Sequence, residues 1–153
     1  MESEVGVKVS TKGRYGLRLL IDLALHQDQG PVILHDIAGR QGISEKYLWQ
    51  VITPLKSAGI VTSVRGAHGG YTLARDPASI TLLEMVSALE GPVSLVDCTE
   101  APESCGRSTR CVANEVWSLL GRSLRERMAG ITLRDLIEKQ RELETGNTPD
   151  YAI

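Results

Sequence analysis

The sequence lacks an apolar run long enough to cross a membrane. Its longest runs, such as Leu19 to Leu25 and Ile80 to Val86, are much shorter than the roughly 20 residues that a spanning helix needs, and charges interrupt them. The first residues carry Glu2 and Glu4 and no apolar core, unlike a secretion signal. Nor does the chain contain a Gly-rich phosphate loop or a paired nucleophile and base. These absences predict a cytoplasmic protein that has no membrane partner and is not an enzyme.

Cysteine is also scarce, and its placement is uneven. The chain has only 3 cysteines, Cys98, Cys105 and Cys111, all in one short stretch. In a reducing compartment, clustered thiols bind metal more often than they form disulfides. Thiolates are soft ligands for iron and for zinc, and this spacing lacks the C-x2-C pairs typical of structural zinc. The residues alone therefore leave an iron-sulfur cluster, a zinc ion and unmetallated thiols as the possible states.

Length and charge suggest where a polyanion would bind. At 153 residues, 42% hydrophobic and 24% charged, the chain fits one globular domain with an appended arm. The formal charge of -2 is unevenly distributed. Residues 1–75 hold nine Lys and Arg against six Asp and Glu, whereas residues 76–153 hold eight against thirteen. Only the first half is electrostatically suited to phosphates.

The first half has the pattern of a helix-turn-helix followed by a hairpin. Ser10 or Thr11 can cap a first helix, and Gly30-Pro31 breaks the chain after it. Glycine-containing turns then separate short apolar or amphipathic segments. The predicted elements are helix 12–26, a short strand 32–34, helix 35–41, helix 44–58, strands 60–65 and 71–74 around a turn at 66–70, and helix 81–90.

The second half contains the cysteine loop and a long amphipathic helix, predicted over residues 111–128. This helix has more apolar side chains than a small winged domain can cover, and a second copy of the chain would cover them. They are Val112, Val116, Trp117, Leu119, Leu120 and Leu124. Thr132 can cap a last helix reaching Glu144.

These elements predict a mainly α protein with a small β-hairpin wing (α+β). Its predicted units are a winged helix-turn-helix DNA-binding domain (9–91), a cluster-binding cysteine loop (92–111), a dimerisation helix with a C-terminal helix (112–145), and a flexible tail (146–153).

Candidate DNA contacts follow from the way such domains dock. The second helix of the helix-turn-helix, predicted over residues 44–58, would enter the major groove with its first turns, where Gln50 could bond adenine. Arg65 at the wing tip suits a narrow minor groove. Basic residues near the first helix, including Arg18, would add phosphate contacts. The candidates are Lys12, Arg14, Ser44, Glu45, Lys46, Tyr47, Trp49, Gln50, Arg65, Gly66 and His68. The alternative is that Tyr47 and Trp49 are packing aromatics and Arg65 a solubilising charge.

Several segments resemble the signature segments of the IscR, NsrR and CymR family of bacterial regulators. They are Ser10-Thr11-Lys12-Gly13-Arg14-Tyr15, Arg40-Gln41-Gly42-Ile43-Ser44, Tyr47-Leu48 with Gln50, and Val64-Arg65-Gly66-Ala67-His68-Gly69-Gly70-Tyr71. The resemblance implies a homodimeric winged-helix regulator of palindromic or pseudo-palindromic DNA, with Arg65 in the minor groove. Trp49 stands where IscR has a glutamate that influences the class of site bound.

The same resemblance bears on the cysteines. Family members that sense iron-sulfur, nitric oxide or redox status carry three cysteines in this loop. The resemblance thus favours one iron-sulfur cluster per subunit, 2Fe-2S rather than 4Fe-4S. In IscR the fourth cluster ligand is a histidine, and Asn114 occupies its position here. In NsrR the fourth ligand is an aspartate from the other subunit, and Arg14 occupies its position here. Glu115, an N-terminal residue of the partner, a histidine or water remain candidates.

Two other functions remain open. CymR-like members lack the three cysteines, so one alternative is a cluster-free repressor controlled by a partner protein or by thiol redox state. A small iron-sulfur or thiol redox protein is the other, and it would need neither the wing nor the helix-turn-helix.

Overall fold

The computed structural model describes residues 9–146. Its helices are α1 (Thr11–His26), α2 (Leu34–Gln41), α3 (Glu45–Ser57), α4 (Leu82–Glu90), α5 (Asp97–Glu100), α6 (Val112–Ala129) and α7 (Leu133–Glu144), with short 3-10 turns at Gln27–Gln29, Pro77–Ser79, Pro102–Ser104 and Ser108–Arg110. Apart from Gly146, the predicted tail lies outside the described residues.

Short polar side chains define where the helices begin, as the sequence predicts. Ser10 accepts from the Gly13 N–H at 3.2 Å and begins α1, and Ser44 accepts from the Tyr47 N–H at 3.1 Å and begins α3. Both α4 and α7 begin with a reciprocal capping box, at Thr81 and Thr132. The predicted helix starts are confirmed because they depend on residues only three positions apart.

The wing is a two-stranded antiparallel hairpin of β1 (Val61–Val64) and β2 (Gly70–Leu73). Val32 adds one bridge to this hairpin, exchanging two backbone hydrogen bonds with Tyr71 at 2.8 and 2.9 Å. The strand predicted over residues 32–34 is therefore wrong in extent. Leu34 already begins α2 and is buried, so only Val32 remains free to pair.

One hydrophobic core holds α1, α2, α3, α4 and the wing together. Its fully buried side chains include Leu19 and Leu23 of α1 and Leu48 of α3. Leu133 and Ile137 belong to the same core, which places α7 against the winged unit, made of α1 to α4 and the wing, rather than beside α6. The predicted fold class, mainly helical with a small hairpin wing, is confirmed.

Residues 92–111 differ from this core in having no buried side chain. The segment contains the single turn of α5 and two 3-10 turns, so it is more structured than the loop that the sequence predicts. Within residues 9–146, no helix is both long and apolar enough to cross a membrane.

Candidate nucleic-acid interface and cysteine segment

The arrangement of α2, turn and α3 exposes the start of α3. Gly42 has φ of 65° and ends α2 in the left-handed region, where a side chain would be strained. Ile43 is buried and anchors the turn, and Ser44 begins α3, the helix predicted to enter the major groove. Of the candidate contact residues at the start of α3, only Tyr47 is half-buried. The others are solvent-exposed: Ser44, Glu45, Lys46, Trp49 and Gln50.

Tyr47 contacts α1 rather than standing free. Its ring meets that of Tyr15 edge to face, with centroids 5.6 Å apart and an interplanar angle of 89°. Aromatic pairs of this geometry contribute to packing beyond the area that they bury. Tyr47 therefore helps to hold α3 against α1, which is the packing role that the sequence left as an alternative.

Trp49 connects α3 to the wing. Half of it is exposed (52%), and its ring meets that of Tyr71 on β2 at 6.3 Å in an edge arrangement. Burial raises the pKa of the Tyr71 hydroxyl. A groove between α3 and the wing is lined by Ile33, Glu45, Trp49, Val64, Arg65 and Tyr71. Because these residues come from separate parts of the chain, this groove could not be predicted from sequence spacing.

The wing tip presents a basic side chain on a tight turn. Arg65, Gly66 and His68 are exposed, and the Gly69 N–H donates to the Gly66 carbonyl at 3.0 Å to close the turn. Gly66 has φ of 114°, which an L side chain rarely adopts. A small, exposed turn that carries one guanidinium has the shape and charge needed to enter a narrow groove.

The basic residues of α1 have different surroundings. Lys12 is half-buried and Arg14 is exposed, with its guanidinium 5.5 Å from the Tyr15 ring centroid. The Arg18 guanidinium instead donates to the side-chain oxygen of Gln41 at 3.0 Å and to its backbone carbonyl. Arg18 thus joins α1 to α2, although the sequence suggests a phosphate contact.

His35 was missed as a residue of this surface because it belongs to α2, before the turn that leads to α3. Its Nδ1 lies 3.3 Å from a carboxylate oxygen of Glu45, and both side chains are exposed. The pair places a titratable group beside the acidic residue at the start of α3. Only the fold brings these two residues together.

The three cysteines come from distinct parts of the cysteine segment. Cys98 is on α5, Cys105 follows the turn Pro102–Ser104, and Cys111 is the N-cap of α6. All three thiols are free; Cys105 is exposed and the other two are half-buried. Across residues 9–146, no group of three or more His, Cys, Asp or Glu side chains converges on one metal-sized position. The structure does not bring the predicted ligands together.

Side chains of α6 fasten this segment at several points. Asn114 Nδ2 donates to the Cys98 carbonyl at 3.0 Å. Arg125 Nη1 donates to the Val93 carbonyl at 3.0 Å and lies 3.6 Å from Glu100 Oε1. Asn114, the residue in the position of a fourth ligand, therefore holds the backbone of the first cysteine.

Comparisons with known proteins agree with this architecture. Residues 9–139 match the family described as Rrf2, iron-dependent transcriptional regulators. Protein rrf2 of Nitratidesulfovibrio vulgaris is 40% identical over 131 residues, which cover 86% of this chain and 87% of that protein. The transcriptional regulator CymR of Bacillus subtilis is 42% identical over 130 residues, covering 85% and 89%. The structure of IscR from T. potens superposes with a TM-score of 0.72 at 39% identity, covering 97% of both chains.

These likenesses extend over the winged unit, the cysteine segment and α6 together, and they confirm the resemblance on which the sequence interpretation rests. The exposed start of α3 and the basic wing tip fit the shared function. The chain belongs to the Rrf2 family of DNA-binding transcriptional regulators.

Proposed function

We propose that this regulator binds palindromic or pseudo-palindromic DNA as a homodimer, and that an iron-sulfur cluster on Cys98, Cys105 and Cys111 sets its affinity for that site. One observation carries the proposal. The three thiols of the chain lie on a single segment without buried side chains, and this segment is fastened to a helix with an exposed apolar face.

The exposed face of α6 supports a dimer. Six of its apolar side chains are between 40% and 74% exposed in the single chain, and Gly121 is the one buried residue of the helix. An apolar row of this length is unfavourable in water and fits a second copy of itself across a twofold axis. The residues that would form the interface are Val112, Val116, Trp117, Leu119, Leu120 and Leu124.

The DNA-contacting face would consist of α3 and the wing from each subunit. The predicted contacts Ser44, Lys46, Gln50 and Arg65 are all exposed. In a twofold dimer, two recognition helices must reach half-sites about 34 to 36 Å apart. Their separation depends on how each winged unit attaches to α6, and residues 92–111 are part of that connection.

The thiols fit an iron-sulfur cluster in kind. Cysteine thiolates are its ordinary ligands, and when bound the cluster would supply a redox- and nitric-oxide-reactive centre bonded to three points of the segment. In the described structure those points do not converge, so holding the cluster requires the segment to rearrange. Its exposure permits this, because no core packing has to be broken.

Asn114 has a structural role that leaves the fourth ligand to another group. Its amide nitrogen is used on the Cys98 carbonyl, and its amide oxygen accepts from Ser118 at 3.4 Å. Glu115 is exposed in the groove that also contains Cys111. We expect the fourth position to be filled by Glu115, by an N-terminal residue of the partner subunit, by a histidine or by water. An oxygen ligand there would be readily exchanged.

A second function is a cluster-free regulator controlled by thiol redox state or by a partner protein. The separation of the three thiols favours it. So does the sequence identity of 42% to CymR, which is higher than the 37% identity to an IscR relative. In this case, the segment would respond through the exposed Cys105 thiol.

Mass spectrometry under non-denaturing conditions on anaerobically purified protein separates the two functions. We expect a dimer that carries iron and sulfide, one cluster per subunit, and Cys105→Ala should lose both. Ser104→Ala is the matched control in the neighbouring position and should keep them. A dimer without iron and sulfide after anaerobic preparation would contradict the cluster.

DNA binding is tested on a site obtained by in vitro selection with the purified protein. Arg65→Ala should weaken binding by about tenfold, the loss of one base or groove contact, without altering the metal content. In a reducing, anaerobic buffer, Cys105→Ala should change the affinity for this site. Ser104→Ala should leave the affinity unchanged in the same buffer. Equal affinity of cluster-loaded and cluster-free dimers would exclude the cluster as the switch.

A further inference from the structure

Among the described residues, Asp22 is the one charged residue that is buried, with 2% of its surface exposed. Arg40 meets its carboxylate in a forked arrangement, with Nε 3.1 Å from both oxygens and Nη2 2.6 Å from Oδ1. Gln41 donates to Oδ2 at 2.8 Å. The hydrogen bonds that Arg40 donates to the Asp22 carboxylate raise the pKa of Arg40. A forked arginine pair fixes direction as well as distance, so it holds the end of α2 in one orientation against α1.

Arg18 adds a second point of attachment between the same two helices. It lies one helical turn before Asp22 on α1, and it donates to both the side chain and the backbone carbonyl of Gln41. Gln41 thus donates to Asp22 and accepts from Arg18. Arg40 and Gln41, the last two residues of α2, are therefore hydrogen-bonded to Arg18 and Asp22, which lie on two successive turns of α1.

This network lies directly before the recognition helix. Only Gly42, Ile43 and Ser44 separate Gln41 from the start of α3, and each of the three is constrained by a left-handed φ, burial or a cap. A displacement at the end of α2 therefore passes to α3 instead of being absorbed by the turn. The Arg18 guanidinium also lies 5.4 Å from the Tyr15 ring, and Tyr15 packs on Tyr47 of α3.

We propose that Asp22 is a positioning residue for DNA recognition: through Arg40 and Gln41 it sets the orientation in which α3 presents its side chains to the major groove. Asp22 itself is buried and would act on DNA binding only through these neighbours. The inference rests on DNA binding by the family and is independent of the cluster, so the two can fail separately.

Stability alone would also explain a buried ion pair, so the test must separate orientation from folding. Asp22→Asn keeps the shape of the side chain and removes its charge, which places an amide donor among the donors of Arg40 and Gln41. Asp135→Asn is the matched control, because Asp135 accepts from the Thr132 N–H at 2.8 Å in the capping box of α7 and lies outside the helix-turn-helix.

The measurement is the affinity for a selected site and for a scrambled duplex, at a temperature where urea titration shows both variants folded. Asp22→Asn should lower the affinity for the selected site by about 10- to 100-fold, as expected for a lost charged hydrogen bond. The affinity for the scrambled duplex should change little. Asp135→Asn should keep the ratio of the two affinities. Equal losses on both duplexes, or the same ratio in both variants, would overturn the proposal.

A double-mutant cycle tests whether Asp22 acts through Arg40. If it does, Asp22→Asn combined with Arg40→Met should be no worse for the selected site than Asp22→Asn alone, because the shared interaction is lost once. Additive losses would overturn this route. If Asp22→Asn does not fold, Gln41→Ala tests the same network. It should still lower the ratio of the affinities for the selected and scrambled duplexes by several-fold, the effect of losing about one hydrogen bond.

Discussion

The winged unit and the cysteine segment are stabilised by different interactions. The winged unit and α7 together bury side chains from five helices and the wing in one core, whereas residues 92–111 bury none. The segment is held by a few hydrogen bonds to α6, chiefly from Asn114 and Arg125. Segments with little burial open at low free-energy cost, so we expect the cysteine segment to open more readily than the winged unit.

The largest expected effect tests the stability of the winged unit. Leu48 on α3 is fully buried, so Leu48→Ala should lower the free energy of unfolding by about 2–5 kcal/mol through lost burial and the cavity left behind. Val96, half-buried at the start of α5, is the control in the cysteine segment, and Val96→Ala should cost less than about 1 kcal/mol. Urea denaturation followed by circular dichroism compares them, and equal losses would remove the contrast.

A smaller effect should appear when the segment loses its attachment to α6. Asn114→Ala removes the donor to the Cys98 carbonyl, a hydrogen bond of about 1 kcal/mol, and should free the segment without unfolding the core. The exposed Arg107 and Arg110 provide trypsin sites within the segment. Cleavage there should become about two- to tenfold faster if it tracks local opening.

Ser118→Ala is the matched control for this prediction. Its hydroxyl donates within α6 to Asn114 at 3.4 Å, so its loss should leave the trypsin rate close to that of the unsubstituted chain. If cleavage is unchanged in Asn114→Ala, the attachment contributes nothing and another contact holds the segment.

The contrast also explains what the sequence could predict. Helix starts at Ser10, Ser44 and Thr81 follow from residues close in the chain, and the structure confirms them. The exposed apolar face of α6 was predicted for the same reason, since helical periodicity is local. The fold class followed from these elements taken together.

Features that depend on distant residues were not predicted. Leu133 and Ile137 are part of the core only because α7 returns to α1, and the Arg40–Asp22 pair joins side chains 18 positions apart. The predicted strand 32–34 reduces to Val32, which bridges to Tyr71, because Leu34 already begins α2 and packs in the core. The assignment of DNA and cluster ligands stays a prediction, because it depends on molecules outside the chain.

The smallest expected effect concerns a polar contribution to the stability of the winged unit. The Thr81 N–H donates to the Glu84 carboxylate at 2.9 Å and, with Arg75 at 3.0 Å, keeps the pKa of Glu84 below its ordinary value. A lowered pKa in the folded state stabilises the fold above the unfolded pKa of 4.5, and this contribution is lost as the pH falls through the folded pKa. Because the side chain is 43% exposed, solvent screens much of the charge effect.

Glu84→Gln should therefore reduce the free energy of unfolding by about 0.5 kcal/mol near neutral pH, since glutamine can still accept the capping hydrogen bond but carries no charge. The difference from the unsubstituted chain should shrink as the pH is lowered below 4.5, where the carboxyl group becomes protonated and neutral. Urea titrations across this range measure it, with Glu138→Gln at an exposed position of α7 as the control. A difference that grows on acidification would contradict the assigned direction of the pKa shift, and would mean that Glu84 is less stable as a carboxylate in the folded chain than in the unfolded one.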